Sequence, residues 1–145
     1  MEIRPMTQQH AQIVHQMMRS FYASPAVLTN GSDEIFFNDI RACISDDPFL
    51  EGFVFCREEE VVGYAMIAKS FSTEFGRRCI WIEDIYLQPR ARGQGTAGQF
   101  FAFLEACYPG TILRLEAEEE NEFALRAYRK AGFDVMPYLE MFKLL

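Results

Sequence analysis

A strand, a glycine-rich turn and a helix follow one another between residues 81 and 105, and this unit constrains the fold more than any other feature. Its sequence is WIEDIYLQPRARGQGTAGQFFAFLE. Such a turn brings unpaired backbone N–H groups and the positive end of a helix dipole to one point. Anions, phosphate groups among them, bind at points of this kind. The stretch therefore predicts an anion site between a β-strand and an α-helix.

The remaining elements are predicted from the spacing of apolar residues. A short N-terminal strand and two helices, the second capped by Ser32, precede a run of three apolar strands. A loop at 71–78 is predicted before the third of these strands, which leads into the glycine-rich turn. After the third helix come a strand at 111–116, a fourth helix at 121–131, and one or two closing strands at 133–145. The predicted order is β-α-α-β-β-β-α-β-α-β(β), and we expect one mixed α/β domain over residues 1–145. Several strands are apolar on both sides, which predicts helices on both faces of the sheet.

Charge and composition argue against several classes of function. The net charge of −7 disfavours nucleic-acid binding, which uses basic surfaces. No apolar run approaches the ~20 residues of a membrane-spanning helix, and the first residues lack a signal-peptide pattern, so we expect a cytoplasmic protein without a membrane partner. The four cysteines are far apart and the chain has two histidines, so no metal site is predicted. The cysteines are expected to be buried and reduced.

The glycines of the turn first suggest a dinucleotide-binding site. Gly93, Gly95 and Gly98 form the pattern G-x-G-x-x-G between a strand and a helix, as in the Rossmann fingerprint. Three observations disfavour this interpretation. The pattern comes late in the chain, too few residues follow it to complete a doubly wound sheet, and the segment 88–92 separates the strand from the first glycine. A Walker P-loop is excluded because no Gly-Lys-Ser/Thr sequence follows.

The same turn, taken together with its arginine, resembles a different signature. Arg92-x-x-Gly95-x-Ala97 resembles the R/Q-x-x-G-x-G/A pattern of the GNAT superfamily of acetyl-CoA-dependent N-acetyltransferases. The segment NEFALRAYRKAGF at 121–133 resembles a second pattern of that family, N-x-x-A-x-x-x-Y-x-K-x-G-F. The resemblance covers nearly the whole domain. It implies the fold of this family, in which helices flank a central mixed, mostly antiparallel sheet.

The resemblance also implies that acetyl-CoA is the co-substrate and that the turn binds it. The N–H groups of the turn and of the helix N-terminus are then expected to bind the pyrophosphate, and the end of the preceding strand to hold the pantetheine arm. The cofactor-binding residues implied in this way are Ile85, Tyr86, Leu87, Arg92, Gly93, Gln94, Gly95, Thr96, Ala97, Asn121 and Tyr128. Physical chemistry supports such a site, because glycines permit positive φ angles and a close approach of the backbone to a ligand.

Acetyl transfer to an amine needs a proton acceptor and a proton donor. An amine with a pKa of about 10 is protonated at neutral pH and must lose a proton before it attacks the thioester. Glu83 is the expected base, acting directly or through a water. Its neighbour Asp84 should point to the opposite face of the strand unless a bulge intervenes. The resemblance implies that Tyr128 is the general acid toward the leaving thiolate.

The identity of the acceptor amine is the most open part of the prediction. The segment Ile82–Leu87 (IEDIYL) resembles the corresponding segment of spermidine/spermine-type acetyltransferases, and the acidic balance of the chain suits a cation. A polyamine-like small amine is therefore favoured. Peptide or protein N-termini, amino acids and aminoglycoside-like amines stay open, as does a CoA-binding sensor without catalysis. The apolar residues 141–145 suggest either a homodimer contact or the completion of the sheet.

Overall fold

A five-stranded sheet forms the centre of the protein, and the computed structural model describes all residues from 1 to 145. The strands are β1 (Glu2–Pro5), β2 (Leu50–Arg57), β3 (Glu60–Ser72), β4 (Arg77–Leu87) and β5 (Ile112–Leu115). The helices are α1 (Ala11–Tyr22), α2 (Asp33–Ile44), α3 (Thr96–Cys107) and α4 (Glu122–Lys130), with 3₁₀ turns at Gln8–His10 and Pro89–Ala91. The mixed α/β class is confirmed, and so is the predicted order of elements as far as α4.

The strands lie in the sheet in the order in which they occur in the chain. Neighbours are antiparallel from β1 to β4, whereas β5 runs parallel to β4. A parallel neighbour requires a crossover connection, and α3 supplies it directly after the glycine-rich turn. β4 is therefore the strand at which the sheet changes from antiparallel to parallel pairing.

Helices cover both faces of the sheet, as the apolar strands predict. Members of the core cluster on the α1–α2 face include Val14, Met18, Phe36 and Tyr64. On the α3–α4 face, the ring of Phe100 contacts those of Phe53 and Phe55 edge to face, with centroid distances of 5.7 and 5.3 Å. Each of these large side chains contributes about 1.5–3 kcal/mol through its removal from water. The two clusters hold the sheet rigid between the helix layers.

The helix α2 begins at the residue that its sequence predicts. The side chain of Ser32 accepts a hydrogen bond from the backbone N–H of Ile35 at 3.2 Å, which satisfies one of the free donors at the helix start. Its buried stripe toward the sheet consists of Phe36, Ile40 and Cys43. This helix forms one wall of the pocket described below.

The closing strands predicted at 133–145 are not formed, and this part of the prediction is wrong. No regular element follows α4, and Val135 and Leu139 are 81% and 93% exposed. Pro137 removes a backbone donor from the middle of the segment. An added strand whose apolar side chains stay in water also gains little stability from edge pairing alone. Residues 134–145 are called the tail from here on.

Two smaller expectations also differ from the structure. Cys43, Cys56 and Cys79 are buried as predicted, but Cys107, the last residue of α3, is exposed. The loop predicted at 71–78 is shorter, because β3 and β4 extend into a long hairpin. None of the helices has the length and apolarity that crossing a lipid bilayer requires.

Gly63 of β3 lies opposite Leu87 of β4 and has no room for a side chain. A Cβ atom at this position would press on the carbonyl oxygen of Tyr86 and lie 2.8 Å from Cδ2 of Leu87 and 2.9 Å from Cδ2 of Phe55. The carbonyl oxygen cannot retreat without disturbing the β3–β4 pairing. We therefore expect Gly63→Ala to lower the free energy of unfolding by about 1–3 kcal/mol, measured by denaturant titration.

Gly98→Ala is the matched control for that substitution. A Cβ atom at Gly98, in the first turn of α3, meets no atom within 4 Å. Alanine also has a higher helix propensity than glycine, so this variant should keep its stability or gain up to about 1 kcal/mol. Equal losses in the two variants would contradict the steric explanation.

Candidate active site

A β-bulge interrupts β4 at the two acidic residues. Met66 of β3 pairs with Asp84, but the next residue, Ile67, pairs with Ile82. Glu83 is therefore the extra residue of the bulge, and it has no partner on β3. The bulge reverses the expectation for a regular strand, because the carboxylates of Glu83 and Asp84 line the same pocket on the α1–α2 face.

Asp84 is buried and held by two tyrosines. Only 4% of the residue is exposed. The hydroxyl of Tyr22 donates to its Oδ1 at 3.0 Å, and the hydroxyl of Tyr64 donates to its Oδ2 at 2.8 Å. Burial raises the pKa of Asp84 to about 6, and the two hydroxyl donors oppose that rise. The carboxyl group thus lies in the wall of the pocket with both oxygens occupied.

Glu83 has a different environment. It reaches solvent and accepts no hydrogen bond from the protein, yet the walls around it remove part of its hydration. This partial burial raises the pKa of Glu83, and the nearby carboxylates of Glu140 and Asp39 raise it further. A carboxyl group with a raised pKa is a stronger base once ionised. Glu83 is therefore the more available of the two carboxylates for an incoming group.

The pocket has a volume of about 170 Å³ and is strongly acidic. Its lining residues are Tyr22, Asp39, Leu50, Met66, Ala68, Glu83 and Asp84. Asp39 comes from α2, where burial raises its pKa. The sequence reasoning missed Asp39 and Tyr22. A signal existed for Asp39, since it lies at helical spacing from Phe36 and Cys43 on the buried stripe.

The strands β4 and β5 separate beside this pocket. Their parallel pairing ends at Ile82 and Leu115, whereas β4 continues to Leu87 with β3 as its only neighbour. The N–H of Gln88 donates to the carbonyl of Val62 on β3 at 2.9 Å. Because successive N–H groups of a strand point in opposite directions, those of Leu87 and Ile85 point into the gap. The gap presents free backbone donors beside the acidic pocket.

The glycine-rich turn lies at the end of that gap. Gly93 and Gly95 have φ angles of 74° and 76°, a left-handed conformation that suits glycine. Gly95 precedes α3 without a side-chain cap. The backbone N–H groups of residues 93–98 find no acceptor within the protein. These residues include Gln94, Thr96 and Ala97, so the whole predicted segment presents free donors at the positive end of the α3 dipole.

Arg92 is held beside this turn by two contacts. Its Nε donates to the carbonyl oxygen of Leu87 at 2.9 Å, and its guanidinium lies 5.7 Å from the centroid of the Tyr86 ring. These contacts fix a positive charge between the end of β4 and the start of α3. An anion at the turn is therefore within the field of both the arginine and the helix dipole.

Two of the predicted residues belong to α4, Asn121 as its N-cap and Tyr128 within the helix. The side chain of Asn121 caps the helix by accepting a hydrogen bond from the N–H of Ala124 at 3.3 Å. Tyr128 packs edge to face against Phe101 and Phe133, with ring centroids 5.9 and 6.1 Å away. Burial raises the pKa of its hydroxyl. Tyr128 therefore stays protonated at neutral pH.

The comparison with protein families identifies this arrangement. The family model described as "Acetyltransferase (GNAT) family" matches residues 12–133. The chain belongs to the GNAT acetyltransferase family. Acetyltransferases of this family use acetyl-CoA. The resemblance drawn from the two sequence motifs is thereby confirmed.

Relatives of this GNAT protein include acetyltransferases of small amines. A 78-residue stretch of this chain is 36% identical to the thialysine N-epsilon-acetyltransferase of Bos taurus. The stretch covers 50% of this chain and 44% of that protein, so the match spans less than half of the relative. The aminoglycoside acetyltransferase AAC(6')-Iy, in complex with a bisubstrate analogue, has a TM-score of 0.78 at 16% identity, covering 99% of this chain and 97% of that chain. The aminoglycoside 6'-N-acetyltransferase AAC(6')-IG of Acinetobacter haemolyticus also gives 0.78, at 14% identity, covering 100% of this chain and 99% of that chain. At these identities the two structural matches show the fold.

The buried Asp84 predicts a characteristic dependence of stability on pH. The folded protein holds the proton of this carboxyl group up to a pKa of about 6, whereas the ordinary pKa of an aspartate side chain is 3.8. The folded state therefore binds more protons between these values, and the stability associated with Asp84 is lost as the pH rises through 6. Relative to wild type, Asp84→Asn should gain on the order of 3 kcal/mol in free energy of unfolding between about pH 4 and pH 7.

Denaturant titrations of both proteins across this pH range measure the difference. Asp46→Asn, at an exposed position, is the control for the removal of one negative charge. A difference between wild type and Asp84→Asn that does not change with pH would contradict the assignment.

Proposed function

We propose that the protein transfers the acetyl group of acetyl-CoA to a primary amine of a small molecule by direct attack of the amine on the thioester. The main support for this proposal is the bulge in β4, because both Glu83 and Asp84 line one pocket beside the open gap between β4 and β5. An amine in the pocket and a thioester in the gap then meet at the same point of β4. A new C–N bond forms as the C–S bond of the thioester breaks.

Glu83 acts as the base in this proposal. An ammonium group in the acidic pocket must give up a proton before its nitrogen can attack, and Glu83 has the only carboxylate of the bulge without a tyrosine donor. Its raised pKa brings its basicity closer to that of the amine. The proton passes from the amine to the carboxylate directly or through one water.

The donor half of the reaction uses backbone groups of β4 and the turn. The N–H groups of Ile85 and Leu87, on either side of Tyr86, hold the pantetheine arm and stabilise negative charge on the thioester oxygen. The turn from Arg92 to Ala97 binds the pyrophosphate, and Asn121 closes the site from the side of α4. Tyr128 donates its proton to the departing thiolate, which suits a hydroxyl that burial keeps protonated.

The acceptor is a small cationic amine. The pocket walls supply carboxylates from Asp39, Glu83 and Asp84, and Glu116 and Glu140 form an acidic rim in which their mutual contact raises the pKa of Glu116 to about 7. A pocket of about 170 Å³ suits one amine arm of a small molecule. The acceptors named for the relatives, thialysine and aminoglycosides, are small amines too. Polyamine-like amines belong to the same class.

The four free cysteines support a reducing location, and we propose the cytoplasm as the place of the reaction. We also propose that residues 1–145 act as one domain, because the family match runs from residue 12 to residue 133.

Replacement of the proposed base and acid should separate their roles. We expect Glu83→Gln to lower kcat/KM for the amine by about 10²- to 10⁴-fold, the usual contribution of a positioned general base. Tyr128→Phe should lower kcat while CoA still binds, because the ring packing is kept and the hydroxyl alone is lost. A thiol reporter for CoA release, with a panel of amines, measures both effects.

Phe123→Leu serves as a control, since this side chain lies on α4 and is 57% exposed. Amine-dependent CoA release that neither Glu83→Gln nor Tyr128→Phe reduces would contradict the assigned roles. Tight CoA binding without release toward any amine would favour a sensor in place of an enzyme.

We further propose that two copies associate through the tail. Met141 and Phe142 are 89% and 80% exposed, and the outer edge of β5 is unpaired. One contact, from the hydroxyl of Tyr138 to Glu74 at 2.8 Å, ties the tail to the β3–β4 hairpin. Association of apolar tails with a second copy would remove this surface from water, which supports a homodimer.

Light scattering at micromolar concentration should give twice the chain mass of 16.8 kDa. The double substitution of Met141 and Phe142 to Glu should give a monomer, because charged side chains oppose burial of the tail. Lys143→Glu alters the charge of the tail without removing apolar surface and should stay dimeric. A wild-type protein that is monomeric under these conditions would contradict the proposal.

A further inference from the structure

Arg114 lies in β5, and its guanidinium lies close to two aromatic rings. Its Cζ atom is 5.4 Å from the centroid of Trp81 and 5.7 Å from that of Phe75. Its Nε atom is the one buried side-chain nitrogen or oxygen of the protein that has no hydrogen-bond partner. Arg114 also forms no salt bridge, although the chain carries 21 acidic residues.

The free donors of this arginine point to a missing partner. Rings stacked on a guanidinium leave its N–H donors free at the edge of the plane. A charged donor that is removed from water and left unpaired costs free energy, so an orphan of this kind needs an explanation such as a bound ligand. Glu116, two residues further along the chain, is already in contact with Glu140. The planar fork of N–H groups fits a carboxylate through two parallel hydrogen bonds.

Arg114 lies on the same face of the sheet as the acidic pocket. Its strand neighbours Leu113 and Leu115 pack into the core of the opposite face, so Arg114 itself points to the α1–α2 face. In the parallel ladder it pairs with Trp81, two residues before Glu83. Strand geometry then puts the Cα atoms of Arg114 and Glu83 roughly 8 Å apart.

We propose that Arg114 binds a carboxylate of the acceptor, which makes the acceptor a diamino acid or another ω-amino acid. This inference rests on the proposed acetyl transfer and narrows its acceptor. The acidic pocket takes the reacting ammonium group, and Arg114 takes the carboxylate at the other end of the molecule. An α-amine is attached to the same carbon as its carboxylate and cannot span the separation. The acetyl group therefore goes to the amine at the far end of the side chain.

Matched pairs of acceptors that differ only in the carboxylate test this assignment. Lysine is compared with cadaverine and ornithine with putrescine, in wild type and in Arg114→Gln. In wild type, kcat/KM for each amino acid should exceed that for its diamine by about 10- to 100-fold, the value of a charge-assisted hydrogen-bond pair. Arg114→Gln should abolish this preference, because transfer to the amino acids falls while transfer to the diamines stays the same or rises.

Two controls keep the result interpretable. Arg114→Lys keeps the positive charge but loses the fork, so it should recover part of the preference. CoA affinity should be equal in all three proteins, which verifies that each variant is folded. Mass spectrometry of the product should locate the acetyl group on the ω-amine.

Diamines that react as well as the amino acids in wild type would overturn the inference while the proposed function stands. The same conclusion follows if Arg114→Gln reduces both members of a pair equally, or if the acetyl group is on the α-amine. Absence of transfer to every amine of an extended panel would instead overturn the proposed function, and the inference with it.

Discussion

The parallel pairing between β4 and β5 ends at Ile82, and the candidate active site depends on this early end. Beyond it β4 continues with β3 as its only neighbour, so its donors on the other side stay unpaired and can meet the amides of a cofactor arm. Because β4 has only one neighbouring strand at this point, the bulge at Glu83 disturbs only one ladder of hydrogen bonds. Two neighbouring departures from regular pairing thus produce the two halves of the site, since the early end gives the open strand edge and the bulge gives the two carboxylates that share a pocket.

The two neighbouring carboxylates have different surroundings, and this difference is the basis of the separate roles that we propose for them. Both oxygens of Asp84 accept from tyrosine hydroxyls, so its charge is stabilised in place and its lone pairs are in use. Glu83 has no such donors and meets the pocket with free oxygens. Two adjacent acids of similar intrinsic chemistry can in this way serve as a fixed wall and as a proton acceptor. The tyrosines Tyr22 and Tyr64 make that division, although neither contacts Glu83 through a hydrogen bond.

The donor half of the site could be predicted from the sequence because it is local. Neighbouring residues of the chain determine the positive φ angles at Gly93 and Gly95 and the helix that follows. Arg92 is part of the same segment. The pocket is not local, since Asp39 and Tyr22 reach it from separate helices through the packing of α1 and α2 on the sheet. The prediction of strands in the tail was wrong for a related reason. An apolar segment predicts a strand, but its pattern does not contain the neighbour on which a strand depends.

An acidic pocket alone attracts every small cation and distinguishes poorly among them, because Coulomb attraction has little dependence on the rest of the ligand. Selection requires a group that disfavours the wrong ligand as well as one that attracts the right one. Arg114 has both properties. Its charge attracts a carboxylate and repels the second ammonium group of a diamine, and its guanidinium lies 5.4 and 5.7 Å from the ring centroids of Trp81 and Phe75. A positive charge at the edge of an otherwise negative site therefore favours molecules that carry an ammonium group at one end and a carboxylate at the other over cations in general.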